Sequence, residues 1–231
     1  MRLTILGNNG PYPDIDGATS GYLLEIGGKK LLLDCGSGVF SNLIKYSQVK
    51  DLSAIIISHL HFDHVSDLGV LSYYINANLG KKIKLFLPDT NAYIEQILKT
   101  NAYEVEYYQE GKFNIEDIRV TATQVVHPVK TFALTFNSEK VFTYTADTNF
   151  CSQVESLFSN SSTLLCDSCF LNSNWASNKP HMSVKGICEL AKKYNTKVIL
   201  SHLNPQTNIK DYLIEAFGNY HLAKIGDKIE I

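Results

Sequence analysis

Short apolar runs broken by glycine turns fill the first third of the chain. Residues 3–6, 21–26 and 30–34 read as strands, with Gly27-Gly28 turning the chain between the last two. Residues 39–47 fit a short helix, and Ala54-Ile55-Ile56-Ile57-Ser58 a buried strand. From Val65 to Asn78 the spacing becomes helical, with Leu68, Leu71, Ile75 and Leu79 on one face. Lys84–Leu87 then reads as a strand, and Asp89 as the cap of a helix running to Lys99. The second half repeats the theme. Ile118–Val126, Thr131–Phe136 and Lys140–Ala146 are strand patterns, Ser152–Phe158 a short helix and Leu164–Asp167 a buried strand. Ser183–Tyr194 fits a helix with Ile187, Leu190 and Ala191 inward, followed by a strand at Val198–Ser201. A helix near 208–217 and a turn at Gly226-Asp227 lead to a last strand ending at Ile231. Strands occupy the middle of each half and helices flank them. This α+β order fits two packed sheets covered by helices on both outer sides. Periodicity alone does not separate that sandwich from a doubly wound sheet. No Pro-rich linker, charge block or low-complexity tract divides the chain, so residues 1–231 read as a single domain.

Composition narrows the possibilities. With 231 residues, 45% hydrophobic and 19% charged, the chain can bury a substantial core without staples. A net charge of -2 gives no electrostatic case for wrapping long nucleic acid. The opening strand is too short for the apolar region of a signal peptide, and no apolar stretch approaches the roughly 18 residues of a membrane span. The expected location is therefore cytoplasmic. Five cysteines, an odd number, argue against a disulfide framework. Cys166 and Cys169 have C-x-x-C spacing, but their segment reads better as buried strand than as a redox or metal motif.

The chemistry is concentrated in His59-Leu60-His61-Phe62-Asp63-His64, which follows an apolar strand. Four side chains able to bind metal sit within six residues. Any one histidine at a strand end is more often structural than functional. The distribution changes that: His127, Asp147 and His202 each directly follow an apolar strand as well. A sheet edge can converge such side chains on one point. His59 and His61 alternate by two and so project to the same side of an extended segment. Asp63 and His64 lie where the chain turns into a helix. One divalent metal would then take His59, His61 and His127, a second Asp63, His64 and His202, and Asp147 would bridge them, leaving room for a bridging water. A closed structural zinc site favours cysteine and needs only four ligands, and the motif contains no cysteine. Zinc is the default for this ligand mix; manganese and iron also suit carboxylate–imidazole sites.

This constellation resembles the metallo-β-lactamase superfamily, over nearly the whole chain. The resemblance implies a four-layer αββα sandwich with a dinuclear site at one edge of the sheets. Leu31-Leu32-Leu33-Asp34-Cys35-Gly36 resembles the earlier strand of that family, whose Asp supports the metal ligands from behind. His181-Met182-Ser183 resembles the motif of the ribonuclease Z-like branch in which a histidine assists the leaving oxygen. Asp167 stands where that branch often has a Glu paired with the histidine. Thr145-Ala146-Asp147-Thr148 resembles its Gly-Asp-Thr, with Ala146 replacing Gly.

The expected function is a metal-dependent hydrolase, and specifically a phosphodiesterase. A bridging hydroxide would attack phosphorus, Asp63 would orient or deprotonate it, and His181, held by Asp167, would protonate the leaving alkoxide. Bacterial ribonuclease Z carries a Gly- and Pro-rich tRNA-gripping arm between its third-motif histidine and the bridging Asp. Here only a tight hairpin around Asn137-Ser138-Glu139 separates His127 from Asp147. The likeness is thus to compact, arm-less members, which implies a small or cyclic phosphodiester or a short nucleotide as substrate. Ribonuclease Z-type tRNA 3′-processing and lactone or thioester hydrolysis are the alternatives, since fold does not fix substrate. Tyr73, Tyr74 and Trp175 are candidates for stacking on a base, with packing as their ordinary reading. Family resemblance also suggests a homodimer.

Overall fold

The structure, a computed structural model, describes residues 1–231. Two seven-stranded mixed sheets pack face to face. The first contains β1 (Arg2–Gly7), β2 (Gly21–Ile26), β3 (Lys29–Leu33), β4 (Leu52–Ile56), β5 (Ile83–Leu87) and β6 (Tyr103–Tyr107), in that order. The second contains β7 (Gly111–Ile115), β8 (Ile118–Gln124), β9 (Phe132–Asn137), β10 (Val141–Tyr144), β11 (Thr163–Asp167), β12 (Lys197–Ser201) and β13 (Tyr220–Leu222), also in order. The last strand, β14 (Lys228–Glu230), returns to pair with β1 and completes the first sheet. Each sheet begins as an antiparallel meander and ends as three parallel pairings: β3 to β6 in the first, β10 to β13 in the second.

Strand alternation builds the layers. Leu31 and Leu33 point between the sheets, whereas Leu32 points outward, as a period of two requires. The inter-sheet core adds Phe132, Phe136 and Phe142 from the second sheet. The outer face of the first sheet is covered by α1 (Val39–Tyr46), α3 (Asp67–Asn78) and α4 (Ala92–Leu98). The outer face of the second is covered by α5 (Ser152–Asn160), α6 (Val184–Tyr194) and α7 (Ile209–Glu215). Central strands are buried on both faces, which is why they read as continuous apolar runs. The arrangement is the αββα sandwich that the sequence implied.

Several elements differ from the sequence reading. β6, β7 and β13 have no counterpart in it. All three lie at sheet edges, where strands are short or charged and apolar alternation is weak. The helix after the metal motif starts earlier, with α2 (Phe62–Val65) preceding α3. Asp89 does not cap α4: it accepts a hydrogen bond from the backbone of Thr90, and Asn91 is the cap, accepting from the Ile94 N–H at 2.9 Å. The strand read at Lys140–Ala146 ends at Tyr144, because Ala146 adopts a left-handed conformation that turns the chain.

Candidate metal centre

The parallel ends of both sheets open toward one edge, and the loops leaving them meet there. The first sheet contributes Asp34 after β3 and the segment His59–His64 after β4. The second contributes His127 after β8, Asp147 after β10, Asp167 at the end of β11 and His202 after β12. Asp34, Ala146 and His202 have φ of 56°, 53° and 55°. A left-handed non-glycine residue costs about 1–2 kcal/mol, and such strain persists where surrounding structure fixes a functional turn. This accounts for the Gly-like position of Ala146: the turn needs that conformation to aim Asp147 inward.

Four overlapping donor clusters result, two of which, Cys169 with His181 and His202 and Asp147 with Asp167, His181 and His202, surround His181; the other two contain the residues of the motif. His59, His61, His127 and Asp147 form one, and Asp63, His64, Asp147 and His202 the other, with the donor atoms of each within 4.8 Å of one another. Asp147 belongs to both. Its Oδ2 lies 3.2 Å from His202 Nε2 and its Oδ1 3.3 Å from His64 Nε2. His61 Nδ1 sits 3.1 Å from His59 Nε2 and 3.0 Å from His127 Nε2. All seven sequence-selected residues are therefore brought together, in the grouping their spacing suggested.

Outer partners fix which nitrogen faces the centre. His64 donates from Nδ1 to Asp34 Oδ2 at 2.8 Å, and His127 from Nδ1 to the Pro180 carbonyl at 3.2 Å. His59 Nδ1 is 3.1 Å from the Ser58 hydroxyl, which itself donates to Asp34 Oδ2 at 2.8 Å. In the neutral form of these rings each Nε2 is thereby left with its lone pair inward, available to a cation. Asp34 thus orients His64 directly and His59 through Ser58.

Two observations test whether these residues fit a metal. Nitrogens bound at about 2.0–2.1 Å to one tetrahedral ion lie roughly 3.3 Å apart, close to the 3.1 and 3.0 Å that separate His61 Nδ1 from the His59 and His127 nitrogens. His64 Nε2 is fully buried with no hydrogen-bond partner, although it faces two carboxylates. Charge tells the same story. Burial alone would lower the His64 pKa, but Asp147, Asp34 and Asp63 raise it to about 10. His202 is likewise raised well above the usual range against its burial, chiefly by Asp147. A buried cluster of carboxylates demands positive charge, which protons supply when no cation does. The donor set fits divalent metal ions.

His181 stands beside the shared carboxylate, its Nδ1 donating to Asp167 Oδ2 at 2.7 Å. Burial opposes the charged imidazole, but the charge and hydrogen bond of Asp167 outweigh it and raise the pKa. Asp167 does more than the sequence suggested. Its Oδ2 also accepts from the backbone N–H of Thr148 at 3.0 Å, next to Asp147, and its Oδ1 lies 3.4 Å from His202 Nδ1. One carboxylate thus ties His181, His202 and the Asp147 loop together.

Gly10 is a position against the site that sequence reasoning missed. A Cβ built there would lie 2.0–2.4 Å from three atoms of the His202 ring. The backbone approaches the imidazole closely because Gly10 N–H donates to the Leu203 carbonyl at 3.1 Å. Gly10→Ala is expected to displace His202 and weaken metal binding about 10- to 100-fold, as loss of other outer supports does. Chelator competition measures this; an unchanged affinity would mean that the loop simply moves aside.

The centre opens into a cleft of about 360 Å³ walled by His61, Asp63, His127, Asp147, His181 and Phe62, with Pro11, Pro128 and Pro180 at its rim. Tyr73, Tyr74 and Trp175, the sequence candidates for base stacking, do not line it. Tyr73 is exposed on α3, Tyr74 packs edge-on against Phe40, and the Trp175 indole donates to Asn149 Oδ1 at 2.9 Å. No helix of the chain is long and apolar enough to cross a membrane.

Residues 1–228 match the family described as Anti-Pycsar protein Apyc1. The chain is 30% identical over 241 residues to the probable metallo-hydrolase YhfI of Bacillus subtilis (strain 168), covering 98% of each. The crystal structure of the metallo-beta-lactamase fold protein YhfI superposes with a TM-score of 0.88 at 27% identity, over 99% of this chain and 98% of that one. The short form of human tRNase Z gives 0.80 at 19% identity, over 100% of this chain and 99% of that one. A diphosphatase from the PhnP family gives 0.74 at 17%, over 100% and 97%. The last two likenesses concern the fold alone.

Proposed function

Because the chain belongs to the Anti-Pycsar protein Apyc1 family and is a metal-dependent hydrolase of the metallo-β-lactamase fold, we propose that it cleaves a small or cyclic phosphodiester or a short nucleotide at a two-metal centre. His59, His61 and His127 would hold one ion, Asp63, His64 and His202 the other, and Asp147 both. Zinc is the default for this donor set. When bound, the ions supply Lewis acidity and make water acidic enough to ionise near neutral pH.

The chain's own groups account for the proton transfers. Asp63 lines the cleft and accepts a proton from the attacking water at a carboxylate oxygen. His181, fixed through Nδ1 by Asp167, presents Nε2–H and passes that proton to the leaving oxygen as the P–O bond breaks. The His181–Asp167 contact at 2.7 Å is the observation that carries the phosphodiester reading. An alkoxide is a poor leaving group and needs an acid, whereas an activated ester does not. His181→Ala is expected to keep its metal and to lose about 10²- to 10⁴-fold in kcat on poor leaving groups. On a nitrophenyl leaving group the loss should be much smaller. Equal losses on both would count against the acid role.

A small substrate is favoured by the cleft volume of about 360 Å³ and by the short β9–β10 hairpin, Ser138–Lys140, where a tRNA-gripping arm would be inserted. The deciding experiment assays metal-reconstituted protein in parallel on bis-p-nitrophenyl phosphate, 2′,3′-cyclic nucleotides, precursor tRNA and a lactone. Hydrolysis of the cyclic nucleotides supports the proposal. Robust tRNA cleavage or a preference for the lactone overturns it.

A further inference from the structure

Two residues of the His59–His64 run are not metal donors, and they point in opposite directions. Leu60 packs against the apolar cluster between the first sheet and its helices. Phe62 is 68% exposed and lines the mouth of the metal cleft. It occupies the first position of α2, directly between His61 and Asp63. Its direction is therefore set by the same backbone that sets the two donors.

The ring is supported from behind. Tyr93 of α4 meets it edge to face, with centroids 5.3 Å apart and planes at 74°. Tyr93 is itself anchored: it packs against the core under α3 and α4, and its hydroxyl donates to the Ser66 carbonyl at 2.8 Å. An isolated exposed apolar residue is ordinary. A fixed aromatic ring at the entrance of a dinuclear centre is a preorganised contact surface. The rest of the rim is Pro11, Pro128 and Pro180, which offer neither side-chain hydrogen bonds nor charge, and no Lys or Arg lines the cleft. Such a mouth cannot hold a polyanion by ion pairing or read a base edge by side-chain hydrogen bonds. What it offers a substrate beyond the phosphate-binding centre is a flat apolar face.

We infer that Phe62 is the stacking platform that selects a base-bearing phosphodiester over one without a ring, an inference resting on the phosphodiester reading above. The base lies against Phe62 while the phosphate reaches the donor clusters, so the two halves of the substrate are recognised by neighbouring residues of one motif.

The test compares adenosine 2′,3′-cyclic phosphate with 1-O-methylribose 2,3-cyclic phosphate, which share the reacting group and differ only in the base. In Phe62→Ala the ratio of kcat/KM values, base-bearing over base-free, should fall about 5- to 100-fold, through KM. Phe62→Tyr should restore it. An unchanged ratio, or equal losses on both compounds, overturns the inference. So does a fall in metal content of Phe62→Ala, which would make the ring a support for the donors. A binding measurement separates this inference from the activity on which it rests. Metal-loaded protein is titrated with adenosine 5′-monophosphate and with ribose 5-phosphate. If the protein cleaves no diester yet prefers the nucleotide, and Phe62→Ala abolishes the preference, the platform stands and the phosphodiesterase reading falls. If diesters are cleaved without any such preference, the platform falls alone.

Discussion

Asp147→Ala is expected to abolish activity and to empty both donor clusters of the motif together. No other side chain belongs to both. Its Oδ1 faces His64 and its Oδ2 faces His202, His59 and His127 at 3.2–3.9 Å. Removing the carboxylate takes a negative charge from both groups, so each is left with too few anionic donors to hold a divalent ion well. Loss of Lewis-acid stabilisation worth several kcal/mol corresponds to a fall in turnover of at least about a thousandfold. Metal analysis of the freshly purified variant should show well under half the wild-type content, with the fold retained by near-ultraviolet circular dichroism. His59→Ala makes the contrast, because His59 belongs to only one cluster. Full metal content in Asp147→Ala would mean that each cluster binds independently, and the shared-carboxylate reading would be lost.

The sequence made this centre legible because most of its donors follow strands buried on both faces, such as β4 and β12; β8, before His127, is buried on alternate residues only. Such strands announce themselves as unbroken apolar runs, and the residue after each run lies at a predictable sheet edge. Partnership between segments distant in sequence is a different matter, because no local pattern encodes it. The double role of Asp167, against His181 and near His202, depends on β11 and β12 being adjacent and parallel. Gly10 was hidden for the same reason: 192 positions of chain separate it from the ring it touches. Phe62 was visible in the motif, yet nothing local distinguishes an aromatic directed at a cleft from one directed at a core. Trp175 shows the converse. It sits in a polar loop like a functional aromatic, but its indole is engaged by Asn149 and its ring by Phe150.

Asp34→Ala is expected to be the most destabilising single change at the centre. The carboxylate is completely buried and accepts four hydrogen bonds. Two come from the Ser58 backbone N–H (2.7 Å) and hydroxyl (2.8 Å), one from His64 Nδ1 (2.8 Å) and one from the Tyr144 hydroxyl (2.7 Å). Tyr144 belongs to the second sheet, so Asp34 joins the two sheets beneath the metal site. Tyr22 of the first sheet makes a parallel link to Ser201 of the second at 2.8 Å. Burial, reinforced by the charge of Asp34, pushes the Tyr144 hydroxyl well above the usual phenol range and keeps it a donor. Removing the acceptor strands four buried donors, one of them the His64 ring, which carries a charge when no metal is present. Breaking a buried pair of this kind costs about 3–5 kcal/mol. At about 2–4 °C per kcal/mol for a chain of this size, the metal-free protein should melt roughly 6–20 °C lower. Metal affinity should fall about 10- to 100-fold as well, since both His64 and, through Ser58, His59 lose their orientation. Tyr144→Phe separates the two effects. It removes the inter-sheet link while leaving Asp34 on both histidines, so it should lower the melting temperature with little change in metal affinity. If Tyr144→Phe weakens metal binding as much as Asp34→Ala does, the carboxylate acts by holding the sheets together and its hydrogen bond to His64 is incidental.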